Sequence, residues 1–368
     1  MIKNIGIFLG HPAHFHNMRN MAENLKRDGY NVFFAIKEKD ILSDLCREAG
    51  YPFFRLREGR GNSKWALVKS VLGMEYLMVK FIRKNKIDLL IGTTLSFAAA
   101  KICRIPVYAV AEDDHYIAPR YAKMVYPYAT AVLSPVSCDN GKWEHKTVHY
   151  PGFQKLAYLH PKRFTADKDV VRKYGIDPEK PYFLMRFAKL NAHHDNGVSG
   201  ISTEIAEQIV SLLAPKGQIY ITSERELEPQ FEKCRLQINP LDIHHVMAFA
   251  TLYIGDSQSM AVEAAMLGVP GLRFNDFVGK KKIGVMEELE KVYGLTYGIS
   301  SHEPEKLYAK IEELLATPNL REVFLKRRTK MLSEKIDVTA FFTWFIENYP
   351  ESAEMAKGAT PEFWEQFR

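Results

Sequence analysis

From Ile5 onward, short apolar runs alternate with longer amphipathic ones, a rhythm that a parallel sheet with crossover helices satisfies and few other architectures do. Ile5–Leu9 is followed by a stretch carrying Met18, Met21 and Leu25 and closing at Gly29, and then by Val32–Ile36. Positions 18, 21 and 25 share one stripe of a 3.6-residue helix, so the unit reads strand–helix–strand with the helix laid on its own strands. The rhythm continues through a helix near Ile41–Ala49, a strand at Phe53–Leu56, a long basic helix near Lys64–Asn85, and strands at Leu89–Ile91, Val107–Ala111 and Ala131–Leu133.

Between Pro151-Gly152 and Arg172 the rhythm gives way to Pro, Gly, Lys and aromatic residues, and a second series starts at Tyr182–Phe187. It contains Gln218–Thr222, a helix near Leu241–Ala250, a strand at Leu252–Ile254 leading into a helix that stops at Gly268, and a strand at Gly271–Phe274. Beyond Pro304 the pattern is helical, with helices expected at Pro304–Ala316, Asn319–Lys335 and Thr339–Asn348. A chain of 368 residues also exceeds one comfortable core. The expected fold is α/β: two doubly wound Rossmann-like domains, at 1–160 and 161–335, facing a cleft, with a helical tail at 336–368.

Hydrophobic residues at 46% and charged residues at 26% exclude a disordered chain. The 50 Lys and Arg against 44 Asp and Glu leave +6 without a basic block. That balance suits anionic ligands or a peripheral contact with an anionic membrane, and no nucleic-acid partner is expected. Cys46, Cys103, Cys138 and Cys234 form no Cys-x-x-Cys pair, so reduced thiols and a cytoplasmic location, extending to the inner face of the membrane, are expected. The apolar run after Lys3 is too short for a signal-peptide core. Ile87–Ala111 holds Asp88, Lys101, Arg104 and Pro106 and cannot span a bilayer.

The densest functional signal is Gly255-Asp256-Ser257-Gln258-Ser259, followed by Glu263 and by Gly268-Val269-Pro270. A polar turn after a buried strand opens a helix whose first N–H groups lack intrahelical partners and whose dipole attracts anions. A diphosphate can therefore rest on Ser257, Gln258 and Ser259. Glu263, one turn on, is placed to accept hydrogen bonds from ribose hydroxyls. The plain alternative makes Ser257 or Ser259 an ordinary N-cap and Glu263 a solvated carboxylate. After Tyr182–Phe187, Arg186 and Lys189 offer cations to the same diphosphate, with His193 and His194 close by in sequence.

In the first domain, Gly10-His11-Pro12-Ala13-His14-Phe15-His16 follows the first strand, and His14 is the candidate general base. Glu112-Asp113-Asp114-His115 follows Val107–Ala111. Crowded carboxylates raise one another's pKa, which makes Glu112 and Asp113 alternative bases; the plain alternative is an acidic loop paired with Arg120. The Glu112–His115 run has no Asp-x-Asp spacing and the Gly10–His16 histidines match no usual zinc pattern, so no metal is assigned. Arg55–Trp65 is a basic, glycine-bearing loop leading into a helix with Val68, Leu72, Met74, Met78 and Phe81, which suits a lipid-linked or polyanionic acceptor at a membrane surface unless the helix is simply buried.

Pro151–Pro161, Arg186–Asp195, Gly255–Pro270, Gly10–His16 and Val278–Tyr297 together resemble the domain of unknown function 354 family, over roughly Ile2 to Leu315. The resemblance implies a GT-B-type fold and a glycosyltransferase activity. A more distant similarity is to the UDP-N-acetylglucosamine 2-epimerases, whose Asp-Ser-Gly-Gly phosphate turn is matched by Asp256-Ser257, with Gln258 and Ser259 replacing the glycines. The similarity implies Glu112 as the counterpart of a catalytic glutamate and His193 or His194 as that of a histidine. At Gly92-Thr93-Thr94 this chain lacks the acid those epimerases carry.

The leading expectation is a metal-independent glycosyltransferase that takes a nucleotide-sugar as donor substrate and uses no separate cofactor. Arg186, Ser257, Gln258, Ser259 and Glu263 would hold the donor, and His14, Glu112 or Asp113 would deprotonate a glycan or lipid-linked acceptor in surface polysaccharide synthesis. The alternatives are a nucleotide-sugar epimerase or hydrolase, and a non-catalytic nucleotide-binding protein.

Overall fold

A computed structural model describes residues 2–37, 41–56, 64–93, 98–188 and 200–368. The chain begins β1 (Asn4–Leu9), α1 (Pro12–Arg27), β2 (Asn31–Lys37), α2 (Leu42–Glu48), β3 (Phe53–Leu56), α3 (Lys64–Lys84), β4 (Leu89–Gly92), α4 (Ala98–Cys103), β5 (Val107–Val110), α5 (Pro119–Val125), β6 (Ala131–Pro135) and β7 (Thr147–Tyr150). After α6 (Leu156–Leu159) and α7 (Lys168–Arg172) come β8 (Tyr182–Phe187), α8 (Thr203–Leu213), β9 (Gln218–Ser223), α9 (Ile243–Phe249), β10 (Leu252–Gly255), α10 (Gln258–Leu267), β11 (Gly271–Phe274), α11 (Gly284–Glu287) and β12 (Thr296–Ile299). The end is helical: α12 (Pro304–Ala316), α13 (Leu320–Glu334), α14 (Val338–Glu347), α15 (Ser352–Lys357) and α16 (Pro361–Glu365).

Two compact units result, one of residues 1–158 with 335–368 and the other of Leu159–Glu334. The first is built on a seven-stranded parallel sheet ordered β3-β2-β1-β4-β5-β6-β7, and the second on a five-stranded parallel sheet ordered β12-β11-β10-β8-β9. Each is a doubly wound α/β unit whose strand order reverses once, between β1 and β4 in one and between β8 and β10 in the other. In open parallel sheets the loops at the carboxyl ends beside such a reversal form the crevice that takes ligands. In the first unit these loops carry the Gly10–His16 and Gly92-Thr93 segments, and in the second they carry Arg186 and Asp256–Ser259.

Local chemistry explains these elements. Pro12 at the first position and the His11 ring, which accepts the Ala13 N–H, start α1, and Phe15, Met18, Met21 and Leu25 are its wholly buried stripe. Gly268 closes α10 in the left-handed region at φ 73°, a conformation glycine adopts without strain.

The segment expected as a separate tail at 336–368 is part of the first unit. Ile336 N donates to Pro151 O at 3.0 Å, and Thr339 Oγ1 donates to Ala157 O at 2.6 Å. Phe341, Phe342 and Phe345 are fully buried against Tyr150 and Tyr108. Each aromatic buried this way contributes about 1.5–3 kcal/mol, so the end of the chain completes the first core.

Candidate functional site

In the second unit, β10 delivers Asp256 to the reversal point. Asp256 is 4% exposed; its Oδ1 accepts the Ala188 N–H at 2.6 Å, and its backbone carbonyl accepts Asn275 Nδ2 at 2.9 Å. One residue thereby ties together the loops that follow β8, β10 and β11. Burial, opposed by the Ala188 hydrogen bond, pushes its carboxyl up to about 6.

Ser257 is the N-cap of α10, with its Oγ accepting the Met260 N–H at 3.4 Å. Ser259 is half-buried in the first turn. Gln258 does not simply stand in for a glycine: its Oε1 accepts Arg273 Nη1 at 3.1 Å, while Arg273 Nη2 reaches Glu290 Oε1 at 3.2 Å. Arg273 rises from the middle of β11, is 4% exposed, and has its pKa lowered by burial against the pull of Glu290. It was not singled out from the sequence, although a charge inside the apolar run Gly271-Leu272-Arg273-Phe274 is the signal that marks it.

Glu263 lies on the inner side of α10, 7% exposed, with Oε1 3.4 Å from His244 Nε2 of α9. The solvated-carboxylate alternative for Glu263 is thus excluded. Arg186, at the end of β8, pairs with Glu224, and its buried Nε–H has no acceptor among the described residues. Lys189, His193 and His194 lie outside the described residues.

In the first unit, His14 sits across the β1/β4 reversal. Its Nδ1 accepts the Gly10 N–H at 3.2 Å and lies 2.5 Å from Thr93 Oγ1. An Nδ1 that accepts a backbone N–H leaves the proton of the neutral ring on Nε2, where His14 can donate a hydrogen bond.

Glu112, at the carboxyl end of β5, is held by an ion pair with Lys155 Nζ at 2.8 Å, and Lys155 is 1% exposed. The acidic loop therefore pairs with a lysine far along the chain, not with the exposed Arg120. Asp114 is buried and accepts the Asp139 N–H at 2.8 Å. Asp113 faces solvent. The protein mass around the loop, with Glu112 and Asp114 adding to it and Lys155 opposing, pushes its carboxyl upward to about 6; water at this exposed side chain tempers the desolvation, and the crowding by like charges is what the geometry supports. Of the first unit's three candidates, Asp113 is the one whose residue is fully exposed.

No protein-family model matches the chain, so the family resemblance gains no support from that direction, and a search of curated proteins finds no match. Solved structures of the same fold are found. The S. aureus MnaA–UDP co-structure shares 15% identity, with 98% of this chain and 99% of that one covered and a TM-score of 0.68. UDP-GlcNAc 2-epimerase from Neisseria meningitidis bound to UDP-GlcNAc shares 13% identity over 94% of this chain and 100% of that one, with a TM-score of 0.65. Acinetobacter baumannii MurG shares 13% identity over 94% and 99%, with a TM-score of 0.59. At these identities the likeness establishes the shared two-unit α/β fold.

Proposed function

We propose that this chain is a nucleotide-sugar-dependent glycosyltransferase whose second unit holds the donor. The observation that carries the reading is the start of α10 at the β8/β10 reversal, with Arg186 Nε–H beside it lacking an acceptor among the described residues and Glu263 one turn on. Similar structures bound to UDP and to UDP-GlcNAc support the same ligand class here. In this reading the diphosphate takes the α10 N-terminus and Arg186, and Glu263, oriented by His244, accepts from the ribose hydroxyls. Gln258 acts through Arg273, which fixes the turn.

In the transfer step an acceptor hydroxyl oxygen bonds to the anomeric carbon while the bond from that carbon to the diphosphate oxygen breaks. The nucleoside diphosphate leaves with the electron pair, stabilised by the helix dipole and Arg186, and the hydroxyl proton passes to a base. Asp113 is that base in this reading, because Lys155 occupies Glu112 and His14 offers a donor.

A nucleotide-sugar epimerase is the second reading, favoured by the epimerase structures of the same fold and by Glu112 at the end of β5. Against it, the Gly92-Thr93-Thr94 loop holds no acid, and Thr93 places its hydroxyl against His14.

A thermal-shift titration with UDP, GDP, CMP, ADP and dTDP, and with their sugars, tests the donor site. Ligand at 100 times Kd stabilises by about 2.7 kcal/mol, and the shift is expected to be base-selective and lost in Glu263→Ala. Absence of a shift with any nucleotide overturns the donor site. Conversion of a nucleotide-sugar without acceptor decides for the second reading.

A further inference from the structure

Helix α3 is apolar on two opposite sides. Met74, Met78 and Phe81 point inward, at most 3% exposed, and share one core with Ala99 and Ala100 of α4 and Ala122 and Val125 of α5. On the opposite side Trp65 is 79% exposed, Val68 48%, Leu72 63% and Tyr76 69%. At about 100° per residue these four fall within an arc of about 80°, a continuous apolar stripe facing away from the core. Ile102 on α4, Met124 on α5 and Tyr128 just beyond it extend the exposure, so seven of the eleven large hydrophobic residues exposed among the described residues belong to this one face.

The charges on the same face are all of one sign. Lys69, Lys80, Arg83, Lys101, Arg104 and Lys123 are exposed there. Lys69 and Arg83 follow the stripe itself, within about 60° of its centre line, and Lys80 flanks it at about 80°. The single acid on the three helices, Glu75, is turned inward to accept the Ala99 N–H at 2.7 Å. Apolar surface of this extent is rarely left to water without a partner.

We propose that this face of the first unit rests on an anionic lipid surface. The observations favour that occupant on charge and shape. A second copy docking on the same face would bring its cations against these cations, which an isologous contact cannot avoid. A bilayer surface supplies negative charge over the whole area, takes Trp65 and Tyr76 at headgroup level, accepts Leu72 below it, and lets long Lys and Arg side chains reach phosphate. Among the described residues no helix is long and apolar enough to cross a membrane, so the contact lies along the surface. The inference stands independently of the nucleotide reading, since none of these residues belongs to that site.

The test is flotation of the full chain with vesicles of phosphatidylcholine alone and of phosphatidylcholine mixed with phosphatidylglycerol. Binding is expected only to the mixed vesicles and is expected to weaken as salt rises. Trp65→Ser combined with Leu72→Ser should lower binding about tenfold or more, and each of Lys69→Gln and Lys80→Gln about fivefold. Val292→Ser, an exposed apolar change in the second unit, should leave binding unchanged, and equal melting curves show that all variants fold. Failure to float with mixed vesicles overturns the proposal, as does floating that ignores both sets of changes. A soluble dimer dissolved by Trp65→Ser, in a protein that vesicles do not retain, assigns the face to self-association and overturns it equally.

Discussion

Lys155 Nζ, buried in the segment that leaves the first unit, lies 2.8 Å from Glu112 Oε1 at the carboxyl end of β5. The pair fixes the acidic loop from behind and leaves Asp113 as its solvent-facing member. Removing one partner leaves a charge buried without compensation, a change that typically costs about 3–5 kcal/mol and here falls at the lower end because Glu112 is 25% exposed. Glu112→Gln and Lys155→Met should each destabilise the first unit, and the double variant should be more stable than the sum of the two predicts. A double-mutant cycle by urea unfolding checks this; additive losses would show that the pair is not coupled.

Asp256 makes stability depend on pH. Its folded pKa of about 6 stands above the unfolded value of about 3.9, so the folded state binds more protons and stability falls as pH rises between those two values. The full effect is of order 3 kcal/mol, present above about pH 6 and absent below about pH 4. Asp256→Asn keeps an acceptor for the Ala188 N–H and removes the titration. The melting-point difference between variant and parent should grow in favour of the variant across that window and level off above it. A constant difference would contradict the assignment.

Gly255 closes β10 against β8. A Cβ there would stand 2.5 Å from Tyr253 Oη and 2.9 Å from the Arg186 carbonyl oxygen, and the second of these cannot swing away. Gly255→Ala should cost about 1–3 kcal/mol and displace Arg186, weakening nucleotide binding beyond its effect on stability. Calorimetric titration of the variant with the nucleotide selected by thermal shift measures both.

Truncation after Glu334 should unfold the first unit while sparing the second, because Phe341, Phe342 and Phe345 are lost from the first core alone. Hydrogen exchange read peptide by peptide distinguishes the two: loss of protection over β1–β7 with retention over β8–β12 is the expected pattern.

The alternation of apolar runs and amphipathic stretches was enough to read all but one edge strand of each sheet, because buried parallel strands are continuous apolar segments and the crossover helices carry their own stripes. Phe53–Leu56 and Tyr182–Phe187 match their strands to the residue. β7 and β12 were missed because Thr147-Val148-His149-Tyr150 and Thr296-Tyr297-Gly298-Ile299 mix polar residues or a glycine into short runs. The site was less legible. Arg273 and Gln258 are fifteen positions apart, as Glu112 and Lys155 are forty-three, and nothing in local sequence couples such pairs. Ser257 was recognisable as a cap because its partner, Met260, is three residues away.

The return of residues 335–368 to the first unit also sets an order of events during synthesis. Leu159–Glu334 is contiguous and can close its own core as soon as it clears the ribosome. The earlier strands, β1 to β7, emerge first and yet wait for Phe341, Phe342 and Phe345. The half of the protein that is translated first is therefore finished last, and through that interval its unfilled apolar face is the part of the nascent chain exposed to chaperones and to misassociation.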